Sequence, residues 1–421
     1  MPDRITAIYW METAFPLDQA AATMAGEQST GTFIRVPGET DELRELYAAR
    51  VESITELEPV SSPSLPGSGI PRHWDGTRRT AHVTLSWPLE NLGPSLPNLL
   101  ATIAGNLSEL KQFSALKLLD LTLPPPFLTR YQGPQFGIKG TRTFTGVYNR
   151  PLIGTIIKPS VGLTPEATAT QVKTLVEAGI DFIKDDELQS DGPHCPFEQR
   201  TTAVLQVINQ HAEKTGKRVM YAANLTGDLD QMLARHDHLL HHQGTCAMVS
   251  MNSIGLPAMK ALRAHSQLVL HGHRNGWGML GRSNAIGMSF IAFQKLWRLA
   301  GIDHTHVNGL SNKFCEPDAS VIASARACLT PMFPPPHPGC EIMPVFSSGQ
   351  SARQAPATYQ ALGSIDLIYA AGGGIMAHPN GPAAGVRSLQ QAWQAATENI
   401  PLDTHANTHP DLQAALKTFA T

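Results

Sequence analysis

The sequence predicts an α/β protein, with a small N-terminal α+β (ferredoxin-like) domain followed by a C-terminal TIM (β/α)8 barrel. Three observations predict it. Beyond residue 150, short apolar runs alternate with amphipathic stretches about eight times in roughly 270 residues, which fits one closed barrel better than an open doubly wound sheet. Before residue 124, strand-like and helix-like segments alternate without that regularity. Between them the composition changes. Pro124-Pro125-Pro126 leads into a Gly/Thr/Arg-rich stretch ending at Arg150, which reads as an extended crossover between domains at 1–130 and 131–421.

In the first region, residues 4–10, 81–86 and 116–123 carry strand patterns, and 16–24, 41–49 and 95–104 carry helical ones. In the second, the expected strands are 152–157, 181–184, 218–222, 246–250, 268–271, 304–307, 342–346 and 367–371. Helical stretches at 165–178, 201–214, 283–300 and 382–397 lie among them. The chain has 421 residues, 42% of them hydrophobic and 16% charged, enough for a large core. Lys and Arg total 32 against 35 Asp and Glu, which excludes a strongly basic nucleic-acid or membrane-surface binder. No apolar run reaches about 18 residues, and no signal-type stretch follows Met1-Pro2-Asp3-Arg4, so a cytoplasmic protein is expected. The five cysteines (195, 246, 315, 328 and 340) have no CxxC spacing, which argues against a disulfide framework or a zinc site.

A barrel places its chemistry at the C-terminal ends of its strands. Those ends here carry Lys158, then Lys184-Asp185-Asp186-Glu187, Asn224 and Asn252. His271-Gly272-His273-Arg274, His304-Thr305-His306, Ser347-Ser348-Gly349 and Gly372-Gly373-Gly374 follow. Residues two apart on a strand share a face, so Lys184 and Asp186 point into the barrel mouth, where Glu187 can join them. Two carboxylates there suit Mg²⁺. The lysine beside them admits two readings: a charge partner for the acids, or an amine that captures CO₂ as a carbamate and becomes a third oxygen ligand. Glycines after the seventh and eighth strands expose N–H groups to an anion such as phosphate. The two H-x-H pairs suit either a transition metal or one packed and one substrate-facing histidine each; Arg274 beside His273 favours the second. His236, His238, His241 and His242 read as a solvated helix face, and 331–338 as a rigid loop.

Together these segments resemble the large subunit of ribulose-bisphosphate carboxylase/oxygenase, and more narrowly the RuBisCO-like proteins, over nearly the whole chain. The resemblance rests on Glu27-Gln28-Ser29-Thr30-Gly31-Thr32, Gly105-Asn106, Ile157-Lys158-Pro159, Phe182-Ile183-Lys184-Asp185-Asp186-Glu187, His271-Gly272-His273-Arg274 and His304-Thr305-His306 with Lys313. Pro344-Val345-Phe346-Ser347-Ser348-Gly349 and Gly372-Gly373-Gly374-Ile375-Met376-Ala377-His378-Pro379 complete it. It implies a homodimer or larger assembly in which Glu27, Thr32 and Asn106 enter the neighbouring subunit's site. It also implies Mg²⁺ held by a CO₂-derived carbamate on Lys184 with Asp186 and Glu187. Lys158 would protonate a carbanion, Lys313 would approach a carboxylate or CO₂ from a mobile loop, and His273 would shuttle protons. Arg274, His306 and Ser347 resemble one anion site; Thr32, Gly349, Gly372 and Gly373 resemble the main phosphate site.

Departures from the carboxylases shape the expected reaction. Ser160 stands where they carry a second lysine, Trp277 where they carry a histidine, and Phe33 where they carry a tryptophan. The loop reads Asn312-Lys313-Phe314-Cys315, with Glu316 directly after the cysteine that replaces their glutamate. This loss of acid–base groups argues against carboxylation of ribulose bisphosphate. Asn106, where the methionine-salvage enolases place a lysine base, argues against that branch. The retained lysines instead suit decarboxylation or transcarboxylation of a phosphorylated 3-oxo sugar acid of the 3-oxo-isoapionate 4-phosphate type. The alternatives are an enolase or isomerase of a ketose 1-phosphate and a non-catalytic sugar-phosphate binder. A carbamylated-lysine amidohydrolase would need its H-x-H after the first barrel strand, where there is none.

Overall fold

The computed structural model describes residues 3–31 and 36–419. The chain forms two compact units: 1–132 with 276–299 and 332–339, and 133–275 with 300–331 and 340–421.

The first unit is built on a mixed five-stranded sheet. Its strands are β1 (Arg4–Thr13), β2 (Arg50–Val60), β3 (Arg78–Pro88), β4 (Phe113–Thr122) and, from much later in the chain, β10 (Ile286–Met288). They lie in the order β10-β4-β1-β3-β2. The first four pair antiparallel, and β10 adds to β4 in parallel. Strand β1 alternates strictly at its start, burying Ile5, Ala7, Tyr9 and Met11. The helix Leu96–Ile103 buries Leu96, Leu99 and Ile103 at helical spacing, and its N-cap Ser95 accepts from the Asn98 N–H. The buried Tyr9 hydroxyl donates to the Ile103 carbonyl at 2.6 Å.

The expected strands and helices of this unit are present with shifted ends, but β2 was not expected. It is an edge strand with most residues exposed, so it carries no burial signature. The helix expected at 283–300 is instead β10 followed by a helix at Phe290–Ala300.

The second unit is a closed parallel barrel. It runs β5 (Leu152–Ile156), β6 (Phe182–Lys184), β7 (Met220–Asn224), β8 (Cys246–Ser250), β9 (Val269–His273), β11 (His304–Asn308), β12 (Met343–Phe346) and β13 (Ile368–Ala370). Nearly every strand residue is buried, as in a sheet covered on both faces. Leu152, Phe182, Met220, Met248, Val269, Met343 and Ile368 contribute to the apolar core.

Two expectations fail here, the second only in part. Residues 133–150 are not an extended crossover: Gly137–Thr145 is a helix. Phe136, Ile138, Phe144 and Val147 pack on the barrel core, and Asp303, just ahead of β11, accepts from the Phe136 and Gly137 N–H groups at 2.7 and 2.8 Å. The helix thus closes the barrel's N-terminal end. The histidine cluster is a solvated face only in part: His241 is exposed and His238 and His242 are half-buried. His236 is buried, its Nδ1 2.9 Å from Asp237, which also binds His265 at 2.6 Å. No helix among the described residues is long and apolar enough to cross a membrane.

Candidate active site

Strand β6 ends in Lys184, and the chain turns through Asp185, Asp186 and Glu187. The pleat sends these side chains to different places. Asp185 turns away from the mouth and is fully buried. The Tyr221 hydroxyl donates to it at 2.6 Å, the Arg200 guanidinium at 3.2 Å and the Asn224 N–H at 3.0 Å. Burial alone would lower the Arg200 pKa, but the pull of Asp185, together with Tyr221 and the hydrogen bonds around the guanidinium, raises it and keeps Arg200 protonated. This anchor was not recognised in the sequence, although a buried arginine facing a carboxylate is what holds the strand end between two functional side chains.

Lys184 and Asp186 lie on the other side. Lys184 is only 1% exposed; its Nζ donates to the Asp185 carbonyl at 2.7 Å and lies 3.7 Å from Glu187. Burial lowers its pKa against the opposing pull of Glu187 and Asp186, so the neutral amine is favoured more than in water. At the end of β5, Lys158 pairs with Asp186 at 2.6 Å and donates to Ser160 at 2.8 Å. Ser160 donates to the same carboxylate oxygen at 2.8 Å. Burial would raise Asp186, but the bonds from Lys158, the Leu188 N–H and Ser160 hold it below the usual carboxylate value. The structure therefore brings Lys158, Lys184, Asp186 and Glu187 into one cluster, with Ser160 inserted into it.

His273, at the end of β9, places Nε2 3.4 Å from Glu187 and Nδ1 3.2 Å from the Asn275 side chain. Burial, reinforced by Lys184, lowers its pKa and keeps the imidazole neutral. The H-x-H pairs divide. His304 packs, its Nε2 2.7 Å from Thr141. His271 packs against Phe182 and contacts His306 at 2.8 Å; His306 in turn meets Ser347 at 2.8 Å. Arg274 does not join His306 and Ser347 as an open anion site, because it is ion-paired to Glu316.

Lys313 is exposed. Its N–H donates to the Ser348 carbonyl at 3.3 Å, which sets its backbone beside Gly349, and its ammonium lies 5.2 Å from the centre of the Phe314 ring. Gly372 follows β13 beside Lys158: a Cβ there would lie 3.8 Å from Lys158 Cε, whereas Gly373 faces open space. In the first unit, Glu27 ends the helix Leu17–Glu27 and is exposed, as is Asn106. Between them Gln28 donates to the Ala101 carbonyl and accepts from the Asn106 N–H at 3.0 Å, once its amide is oriented to satisfy both. Gly105 has φ +32°, and a Cβ there would come within 2.5 Å of the Gln28 amide and the Ala101 carbonyl, so only glycine fits this turn. Thr32 and Phe33 lie outside the described residues.

The chain is similar to known proteins over its whole length. A 3-oxo-isoapionate-4-phosphate transcarboxylase/hydrolase from Xanthobacter autotrophicus is 54% identical over 416 residues, covering 99% of each chain. A 3-oxo-isoapionate-4-phosphate decarboxylase from Rhizobium etli is 44% identical over 418 residues, again covering 99% of each. The crystal structure of a rubisco-like protein from Burkholderia fungorum superposes with a TM-score of 0.91 at 44% identity, covering 99% of both chains. The family descriptions "Ribulose bisphosphate carboxylase large chain, N-terminal domain" and "catalytic domain" match residues 3–127 and 137–419. With both halves matched and full-length relatives at 44–54% identity, the chain belongs to the ribulose bisphosphate carboxylase large-chain family.

Proposed function

We propose that the protein is a Mg²⁺-dependent carbon–carbon lyase, a decarboxylase or transcarboxylase acting on a 3-oxo sugar acid phosphate of the 3-oxo-isoapionate 4-phosphate type. The observation that carries this is the cluster in which Lys158 grips Asp186 while the buried Lys184 faces Glu187. The names of the two relatives supply the substrate class.

The donor set fits the metal on one condition. Asp186 and Glu187 offer hard oxygen ligands, but an ammonium between them would repel a dication. Lys184 is fully buried with a lowered pKa, which favours the free amine that reacts with CO₂. As a carbamate it becomes a third oxygen donor. Lys184, Asp186 and Glu187 would hold Mg²⁺, which would supply Lewis-acid compensation for negative charge developing on the substrate.

The remaining roles fall to the chain's own groups. Cleavage of the bond between the carboxyl group and the adjacent carbon leaves an electron pair on that carbon. Lys158 Nζ donates the proton that takes it up. Its side chain is 40% exposed, so it regains a proton from water. Lys313 approaches the departing carboxylate as its loop closes, which excludes water and strengthens the interaction. Neutral His273 accepts and returns a proton beside Glu187. Thr32, Gly349, Gly372 and Gly373 hold the phosphate. Glu27 and Asn106 complete the site of a second subunit in a homodimer. An odd number of cysteines with no CxxC spacing accords with a reducing cytoplasm as the place of action.

The reading is tested by incubating the Mg²⁺- and bicarbonate-treated protein with 3-oxo-isoapionate 4-phosphate and following its consumption. Carbon–carbon cleavage is expected. Solvent deuterium entering a ketose 1-phosphate, with no cleavage of the sugar acid, would replace it with the isomerase reading.

A further inference from the structure

The barrel mouth has a second polar cluster, and its charge is already answered. Arg274 has a side chain only 6% exposed, and its guanidinium is ion-paired with Glu316, on the segment after β11 that also carries Lys313. Glu316 is held at both oxygens. Asn308 Nδ2 donates to Oε2, the oxygen that Arg274 grips, at 2.6 Å, and Ser320 donates to Oε1 at 2.9 Å. Asn308 is itself fixed, accepting from Ser348 at 2.8 Å. The neighbouring His306 is buried and its pKa is pushed well down by burial, so it adds no positive charge. The cluster of Arg274, His306 and Ser347 therefore offers a ligand a neutral surface.

We propose that Glu316 is an internal counter-anion that occupies the Arg274 end of the site, so that the protein takes a ligand with one phosphoryl group and discriminates against bisphosphates. A second phosphoryl group would have to displace a carboxylate held by Arg274, Asn308 and Ser320, or sit against it as a like charge in a partly desolvated place. Displacement would also pull the segment bearing Lys313, three residues earlier. The ligand's carboxyl group, on the same argument, is not held by Arg274 and is left to Lys313. This inference rests on the proposal that the ligand is a sugar phosphate bound at the ends of the barrel strands.

The test uses ribitol carrying one or both terminal phosphoryl groups, which has no carboxyl or keto group to react. Calorimetric titration is made on the Mg²⁺- and bicarbonate-treated protein and on its Glu316→Gln variant. The glutamine keeps the shape; its carbonyl still accepts from Asn308, and its amide NH2 donates to the Ser320 hydroxyl, the reverse of the bond that Glu316 accepts. In the unsubstituted protein the bisphosphate should bind no more than about threefold tighter than the monophosphate. In Glu316→Gln the preference should move toward the bisphosphate by about tenfold or more, with monophosphate affinity changed less than about threefold. A bisphosphate preference above tenfold in the unsubstituted protein, about the size expected of an open Arg274 site, overturns the inference without any variant. An unchanged ratio in Glu316→Gln overturns it as well. Failure of both ligands to bind the unsubstituted protein would overturn the sugar-phosphate reading, and this inference with it.

Discussion

Replacing Asp185 with asparagine tests how the strand end is held. Its carboxylate receives Tyr221 at 2.6 Å, Arg200 at 3.2 Å and the Asn224 N–H at 3.0 Å, and both Asp185 and Arg200 are fully buried. Asp185→Asn keeps the size but leaves the Arg200 guanidinium without its counter-charge. Two carbonyls, Cys195 at 2.9 Å and Ser190 at 2.7 Å, still accept from it, so the cost falls at the lower end of the range for broken buried pairs, about 3 kcal/mol. Arg200→Met should cost a similar amount by stranding the carboxylate. The double variant removes both charges, so the two losses should overlap by about 3 kcal/mol in a double-mutant cycle. Urea unfolding followed by circular dichroism reads these losses. Turnover should also fall in Asp185→Asn, because the residue lies between Lys184 and Asp186. A single-variant loss below about 1 kcal/mol, or additive single losses, would refute the idea that this buried pair anchors the site.

Other outcomes follow from the same contacts. Lys184→Met should abolish turnover while leaving stability within about 1 kcal/mol, because it removes a desolvated amine along with one bond to a carbonyl; urea unfolding and a turnover assay read the two effects. Lys313→Ala should lower kcat by about a hundredfold or more while shifting phosphate-ligand affinity less than about threefold, which kinetics and titration separate. Burial lowers the His304 pKa to about 3 against an ordinary 6.5. Its contribution to stability is therefore complete above pH 6.5 and is lost as the pH falls from there toward 3. By linkage, acidification from pH 7.5 to 5.5 should cost about 1.4 kcal/mol at this residue. His304→Asn should lack that part of the pH dependence in urea titrations; an unaltered pH profile would contradict it.

The sequence made the barrel legible because its strands are short, buried on both faces and followed by polar residues at regular intervals. The elements it hid depend on distant partners. Strand β2 is exposed along most of its length and exists through its pairing with β3. Strand β10 has three residues and forms on β4, about 170 positions earlier. The helix Gly137–Thr145 contains two glycines and three threonines, poor helix formers. Its N-terminus is capped by Asp303, 166 residues away from Gly137. The site shows the same division. The cluster of Lys158, Lys184, Asp186 and Glu187 could be read from strand ends alone. The separate duty of Asp185, the Gln28 link to Asn106, and the capture of Arg274 by Glu316 could not, because each depends on a partner from another segment.

The central claim is carbon–carbon cleavage dependent on Mg²⁺ at the Lys184 cluster. The most direct measurement follows the carboxyl carbon of 3-oxo-isoapionate 4-phosphate, labelled with ¹³C, by NMR. It is made with protein treated with Mg²⁺ and bicarbonate, and again after chelation of the metal. The account predicts that the labelled signal leaves the sugar acid, as CO₂ or bicarbonate or in a new carboxylate, only when Mg²⁺ is present. A signal that stays in the sugar acid under both conditions, or leaves it equally fast after chelation, would contradict the account.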